Sequence, residues 1–362
     1  MKKIAILATY VGVVDRGAET FVIELSKSLM ENYQIDVYST GINNEIKDCM
    51  VKVEVEKGFF LKIHEFCYDN NKIYRKFCNR LYWIIPDVLF QKKFTKKVFE
   101  EYINNAKYDL IFPNNGIWGA VYARKLRALE GIPYIYTGHG GIGKGENLIL
   151  QEKPNFYIAL TNRHEVWAKT IYDNVKKISN GIDCEKFSEH TLNVMKKDNI
   201  VIMVAAFTAF KRHKLAIDAV SLLQDFSLIC LGKGELCQEI LKYGQEKLGN
   251  RFEIKSVPYE KIKSYYSKAK IFTLPSKDEP FGIVYLEAMA MGLPIVAPND
   301  MVRREIVGQA GILCDCENPK IYAKAIFDAA QMEWGTKPQQ QALRFSWKMI
   351  SEKYKEIIEK LI

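Results

Sequence analysis

The chain has no run of about 18 apolar residues, so no helix that spans a membrane is expected. It has no CxxC pair and no histidine at ligand spacing, although eight cysteines (Cys49, Cys67, Cys78, Cys184, Cys230, Cys237, Cys314 and Cys316) are scattered along it. That scatter argues against a zinc site and a disulfide framework, and for reduced thiols in a cytoplasm. The opening MKKIAILATYVG has a short apolar run and no small-residue cleavage site, so a first strand is expected there and not a signal peptide. Repeats of solenoid period are missing, and so are RNA-binding and helix-turn-helix signatures.

What is present describes an ordinary globular chain. At 362 residues, two domains are expected. With 48% hydrophobic and 26% charged residues each can bury a core, which excludes disorder as the general state. The net charge of +9 favours an anionic partner without choosing among nucleic acid, an anionic membrane face and a phosphorylated small molecule.

Apolar runs alternate with amphipathic ones. KIAILAT reads as a buried strand, YVGVVDRGAE as a loop, TFVIELSKSLMEN as a helix and QIDVYST as a strand. YDLIFPN, IPYIYTG and FYIALT read as further strands, with a helix over GAVYARKLRALEG that closes at Gly131. After a polar stretch, residues 186–199, the pattern restarts with NIVIMVAAF, HKLAIDAVSLLQ, FSLICLGKG and IFTLPS. Such alternation predicts an α/β fold of two Rossmann-like domains with parallel sheets. The expected division is 1–180, 181–340 and a final helix in 341–362, whose stripe of Trp347, Ile350, Tyr354, Ile357, Ile358 and Leu361 must dock on something.

The chemistry concentrates in SKDEPFGIVYLEAMAMGLPIV, residues 276–296. Pro280 and Gly282 break the chain after a strand, and a helix begins near Ile283. The loop therefore sits at the carboxyl end of a parallel strand, where open α/β sheets bind ligands, and free helix amides around Phe281 and Gly282 favour an anion. Glu287 lies about one turn into an almost wholly apolar helix, where an ionised carboxylate is costly unless it is satisfied. From the residues alone it could pair with Arg303 or Arg304, or accept hydrogen bonds from the vicinal hydroxyls of a ribose.

The pattern S-x-x-E-x-F-G-x-x-x-x-E-A-M-A-x-G-x-P-I-V resembles the donor-site motif of the family 4 retaining glycosyltransferases. The resemblance extends over RGAE (16–19), GHGG (138–141), SNGID (179–183), KRH (211–213), GKGEL (232–236) and REIVGQAGIL (304–313). It implies the GT-B arrangement, in which an acceptor domain and a donor domain face each other across a cleft and the last helix crosses back to the N-terminal domain. It implies a retaining transfer of a sugar from a nucleoside diphosphate donor, UDP before GDP, to a hydroxyl of a lipid-linked or surface-polysaccharide acceptor. No cofactor and no metal are implied, and no Asp-x-Asp motif stands near the site.

The same resemblance implies roles. Glu279, Lys211 and His139 would act on the sugar and the leaving diphosphate; Glu287 would hold the ribose; Gly17, Thr208, Arg212, Gly234, Val257, Phe281, Gly282 and Ile283 would complete the donor site. By themselves Gly17 is equally a tight turn and His139 a structural histidine. The chain departs from the family where an arginine usually follows a glycine, in G-R-L: it reads Ala205, Ala206, Phe207. Residues 62–97 interleave lysine and arginine with aromatic residues, either as helices with aromatic rings turned inward or as a face for an anionic membrane. Two other readings keep the fold: a sugar-nucleotide epimerase or hydrolase, and a nucleotide-sugar-binding protein without catalysis.

Overall fold

The computed structural model describes residues 1–14, 17–56, 81–114, 116–188 and 199–362, with the backbone alone for 81–87 and 188. These residues form two compact units, one of Met1–Leu160, His164–Ile178 and Ser351–Ile362, the other of Thr161–Arg163 and Ser179–Ile350.

The first unit contains β1 (Lys3–Ala8), α1 (Gly17–Leu29), β2 (Gln34–Ser39), β3 (Met50–Lys52), α2 (Leu81–Val98), β4 (Leu110–Asn114), α3 (Ile117–Glu130), β5 (Ile135–Thr137), α4 (Lys144–Gln151), β6 (Phe156–Ala159), α5 (Asn162–Lys169) and β7 (Val175–Lys177). Its strands are parallel, in the orders β3-β2-β1-β4 and β5-β6-β7, and a parallel bridge from Ile111 to Tyr134 connects the two sets. The order runs outward from β1 on one side and from β4 on the other, so the switch point lies between them. The runs in β1 and β4 are buried at nearly every position, as strands covered on both faces require.

The second unit continues with α6 (Cys184–Ser188), β8 (Ile200–Val204), α7 (His213–Ser221), β9 (Ser227–Leu231), α8 (Cys237–Leu248), β10 (Phe252–Lys255), α9 (Tyr259–Tyr266), β11 (Ile271–Thr273) and α10 (Ile283–Ala290). Then come β12 (Ile295–Pro298), α11 (Met301–Val307), β13 (Gly311–Cys314), α12 (Pro319–Gln331), α13 (Lys337–Leu343) and α14 (Trp347–Glu359). Its single parallel sheet has the order β10-β9-β8-β11-β12-β13, with the switch point between β8 and β11. Both units are thus Rossmann-like.

Helix α14 belongs to both units. Trp347 packs on Gly181, where a Cβ would stand 2.5 Å from the indole, and Ile350 is buried in the same unit. From Ser351 on, the helix is part of the first unit, where Tyr354, Ile357 and Ile358 are buried. The Tyr354 hydroxyl lies 3.1 Å from Thr137 Oγ1, and its ring meets Phe21 edge-on. The predicted stripe is therefore divided, its first two residues in one core and the next three in the other.

In the basic aromatic stretch, Phe90 and Phe94 turn into the core of the first unit while Lys92, Lys93 and Lys96 are exposed. Residues 62–80 of that stretch, the side chains of 81–87, and residues 189–198 of the polar stretch lie outside the described residues. Among the described residues no helix is long and apolar enough to cross a membrane.

Tyr354→Ala should destabilise the first unit by about 3–5 kcal/mol through lost packing. Tyr354→Phe should cost only about 1 kcal/mol for the hydroxyl. Urea unfolding followed by fluorescence checks both, and equal midpoints for the two variants would contradict the packing account.

Candidate functional site

The predicted donor residues of the second unit all stand at one edge of its sheet. Thr208, Lys211 and Arg212 follow β8, Gly234 follows β9, Val257 follows β10, and Glu279, Phe281 and Gly282 follow β11. Ile283 starts α10 and Glu287 lies within it. Two loops meet at the switch point: the Lys277 amide donates to the Phe210 carbonyl at 2.8 Å, and Lys211 Nζ lies 2.5 Å from Glu279 Oε2. Arg212 Nε donates to the Pro275 carbonyl at 2.6 Å, and its guanidinium pairs with the exposed Glu317. Arg212 therefore fastens one loop to the other.

Backbone conformation shows how tightly these loops are specified. Arg212 and Asp278, both in them, have φ of +55° and +52°. Left-handed backbone at a non-glycine residue costs about 1 kcal/mol or more and persists where surrounding contacts impose it. Gly282 caps α10 at φ +88°, and a Cβ there would stand 2.7 Å from the Tyr285 ring and 3.2 Å from Glu279 Cγ. The glycine lets the loop fold over Glu279. The Phe281 ring is buried against Phe345, which leaves its backbone as the part that serves the loop.

Beneath Glu279 lies a buried polar network. Ser276 Oγ donates to Glu279 Oε2 at 2.9 Å. Arg303, only 1% exposed, donates through Nη2 to the carbonyl and hydroxyl of Ser276, through Nη1 to Asp300 Oδ2 at 2.7 Å, and through Nε to the Tyr285 hydroxyl. A guanidinium this deep is tolerable only when its donors are satisfied.

Glu287 is buried too, but by different partners. Tyr259 and Tyr266 each donate a hydroxyl to one of its carboxylate oxygens at 2.9 Å. Burial raises its carboxyl above the usual range, against the two tyrosine donors and the charge of Lys186. The pairing with Arg303 or Arg304 considered from sequence is not found: Arg303 holds Ser276, and Arg304 Nε donates to Asn299 Oδ1.

The β8 loop has polar atoms to spare. Thr208 Oγ1 and both ring nitrogens of His213 are buried without a partner among the described residues. Burial, and secondarily the charge of Lys211, pushes the His213 imidazole down to about 4, and the neutral ring stacks on Phe207 at 4.4 Å. Gly234 approaches the same loop so closely that a Cβ would stand 2.6 Å from Phe207 N and O.

Gly17 and His139 belong to the first unit. Gly17 opens α1, and Asp15 and Arg16 before it lie outside the described residues. His139 follows β5; its Nε2 donates to Asn114 Oδ1 at 2.8 Å and its ring meets Phe21 at 4.7 Å. Burial, then the neighbouring His164, lowers its imidazole well below the ordinary value, so the ring is neutral with Nδ1 as its acceptor. Asn114 Nδ2 also reaches the Ala18 carbonyl at 3.5 Å, which links the His139 loop to the start of α1. Among the described residues no group of three or more His, Cys, Asp or Glu side chains could hold a metal.

Sequence reasoning passed over Tyr259, Tyr266 and Asn114 and considered Arg303 only as a partner of Glu287; the actual partners of all four are distant along the chain. Ser276 stood inside the quoted motif, and its position three residues before Glu279 was the available signal.

Comparison with known proteins gives this edge of the sheet a context. Residues 185–344 match the family model described as glycosyl transferases group 1. A D-inositol 3-phosphate glycosyltransferase of Corynebacterium urealyticum is 26% identical over 306 residues, which covers 70% of this chain and 72% of the relative. Among solved structures, sucrose-phosphate synthase of Thermosynechococcus elongatus has a TM-score of 0.77 at 18% identity, covering 100% of this chain and 99% of the other. Anabaena HepE in complex with UDP and glucose has a TM-score of 0.74 at 18% identity and covers 100% of both chains. The fold is that of these proteins.

Arg303→Ala should destabilise the second unit by about 3–5 kcal/mol, because it strands Asp300 and Ser276 with unmet partners. Arg303→Met, which refills the volume, should recover part of this. Urea denaturation of the purified variants is the check; a loss below about 1 kcal/mol for the alanine variant would show that the network is not stabilising.

Proposed function

We propose that the chain, whose residues 185–344 match the family model described as glycosyl transferases group 1, is a retaining, metal-independent glycosyltransferase using a nucleoside diphosphate sugar. The observation that carries this reading is the Lys211–Glu279 pair at the switch point, on the same motif as the buried Glu287. UDP is the proposed nucleotide, and HepE, which shares the fold, is a UDP complex. The proposed acceptor is a hydroxyl of a lipid-linked or surface-polysaccharide glycan. A cytoplasmic setting agrees with the free thiols of Cys49, Cys184, Cys230, Cys237, Cys314 and Cys316.

The roles follow from charge and geometry. An ionised carboxylate offers about four lone-pair sites, and the tyrosines occupy two of those on Glu287. The others are available to the 2′- and 3′-hydroxyls of a ribose. A diphosphate carries more negative charge than Glu279, so it draws Lys211 away from that carboxylate. Lys211, the Thr208 hydroxyl and the free amides at the start of α10 then stabilise charge that grows on the leaving diphosphate. Ser276 keeps Glu279 in place once the lysine has moved, and Glu279 orients the donor sugar by accepting from its hydroxyls. His139 accepts a sugar hydroxyl through Nδ1 and is not a general base. Gly234 and Val257 would meet the base through their backbone. In a same-face reaction the leaving phosphate itself takes the acceptor proton, so no further base is needed.

Glu287→Ala should abolish the thermal stabilisation that UDP gives the wild type by mass action. In a panel of UDP, GDP and ADP, a shift with one nucleotide that is lost in the variant fixes the donor class. No shift with any nucleotide would refute the reading. Because burial raises the Glu287 carboxyl, UDP affinity should also fall on acidification at a higher pH than an exposed glutamate would give, and Glu287→Gln should flatten that dependence.

Lys211→Ala should lower kcat by about 100-fold or more, with a smaller change in donor affinity, since its contact strengthens as charge develops. Equal losses in both would reduce Lys211 to a binding residue. Wild-type turnover should survive chelation of divalent cations.

A further inference from the structure

Beside His139 stands a buried carboxylate to which the proposed reaction gives no part. The loop 138–143, Gly-His-Gly-Gly-Ile-Gly, leads from β5 into α4, and Glu146 occupies the first turn of that helix. The Gly140 amide donates to Glu146 Oε1 at 2.7 Å, and the Tyr157 hydroxyl donates to Oε2 at 2.7 Å. Tyr157 Oη in turn lies 3.0 Å from His164 Nε2, while the Leu160 amide approaches His164 Nδ1 at 3.5 Å. Burial pushes the His164 imidazole down to about 4, so the ring is neutral.

These contacts have one consistent direction. With Nδ1 accepting from Leu160, the single imidazole proton is on Nε2 and is donated to Tyr157; Tyr157 then donates its own proton to Glu146. Every donor in the chain points to the carboxylate. Tyr157 from β6, Tyr136 from β5 and His164 from α5 are the titratable groups around it, and no lysine or arginine pairs with it among the described residues. Burial raises the Glu146 carboxyl to about 7, against the pull of the Tyr157 and Gly140 donors. An unpaired carboxylate at such depth is a cost to stability, which an apolar residue would avoid.

What the carboxylate holds is the loop. A Cβ on Gly140 would stand 2.8 Å from Glu146 Oε1, and one on Gly138 would stand 2.0 Å from Tyr157 Oη. Both glycines flanking His139 thus rest directly on this network. On its other side His139 is fixed by Asn114 and Phe21.

We propose that Glu146 is a positioning residue for His139, seating the 138–141 loop through the Gly140 amide with its own orientation set by Tyr157 and His164. The consequence for turnover rests on the sugar-contacting role given to His139 above.

Amide hydrogen exchange and donor turnover, measured together on Glu146→Ala, Glu146→Gln and the wild type, test this. Glu146→Ala should raise exchange of the 138–141 amides about tenfold or more, as loss of a hydrogen bond to a charged acceptor predicts, while β4, β5 and β6 keep their protection. Glu146→Gln, which folds without a buried charge and keeps an oxygen for Gly140, should restore most of that protection. The wild-type kcat should show an inflection near pH 7 that the glutamine variant lacks. Unchanged loop exchange in the alanine variant, or a loss spread evenly over β4 to β6, overturns the proposal. A loosened loop with unaltered turnover upholds the seat and refutes the role of His139 instead.

Discussion

The pairing of Lys211 with Glu279 is the contact on which the carboxyl edge of the second sheet depends. It bridges the two loops that diverge at the switch point, one from β8 and one from β11. Both side chains are largely removed from water, so their attraction must offset a desolvation penalty of several kcal/mol for each ion. Ser276 adds a second hydrogen bond to Glu279 Oε2, and Arg303 behind it holds Ser276 in turn. The same two loops carry the left-handed backbone at Arg212 and Asp278. A pair assembled at this cost holds a cation at the position proposed for the donor diphosphate.

Glu287 shows the contrasting solution on the same motif. Its neighbours are neutral hydroxyls, which satisfy lone pairs without cancelling the charge. A carboxylate so held remains a strong acceptor for neutral donors, as ribose hydroxyls are. Glu279, paired with a lysine, instead has its charge balanced until that lysine moves. Two carboxylates of one short segment thus acquire different chemistry from their surroundings alone.

Much of this was legible in the sequence, and what escaped did so for physical reasons. Central strands such as β1, β4, β8 and β9 are nearly continuous apolar runs because both faces are covered, and such runs are visible in any window. The edge strands β3 and β10 are half-buried and short, with sequences MVK and FEIK that carry little periodic signal, and they were not anticipated. The positions of Lys211, Glu279 and Glu287 at the sheet edge followed from the order of strand, loop and helix. Their partners did not: Tyr266 reaches Glu287 across 21 residues and Arg303 reaches Ser276 across 27, and no local pattern encodes a contact between separate elements. The arginine alternative for Glu287 is not realised: two tyrosine hydroxyls stand there instead and leave no charge signature to find.

The same distinction explains Ala205, Ala206 and Phe207, where the resembled family carries an arginine. The backbone of this segment is locked against the glycine loop after β9, with the Phe207 amide donating to the Lys233 carbonyl and the Leu236 amide to the Phe207 carbonyl. Phe207 is buried and stacks on His213, so residues 205–207 are held by backbone hydrogen bonds and packing. Ala206 itself is exposed, and nothing in the packing demands a small side chain there. Arg212, the nearest guanidinium on the loop, is committed to Pro275 and Glu317, and Arg303 lies buried behind Ser276. In the proposed reaction the electrostatic load that a second cation would share would thus fall on Lys211, with the Thr208 hydroxyl and the α10 amides as neutral support.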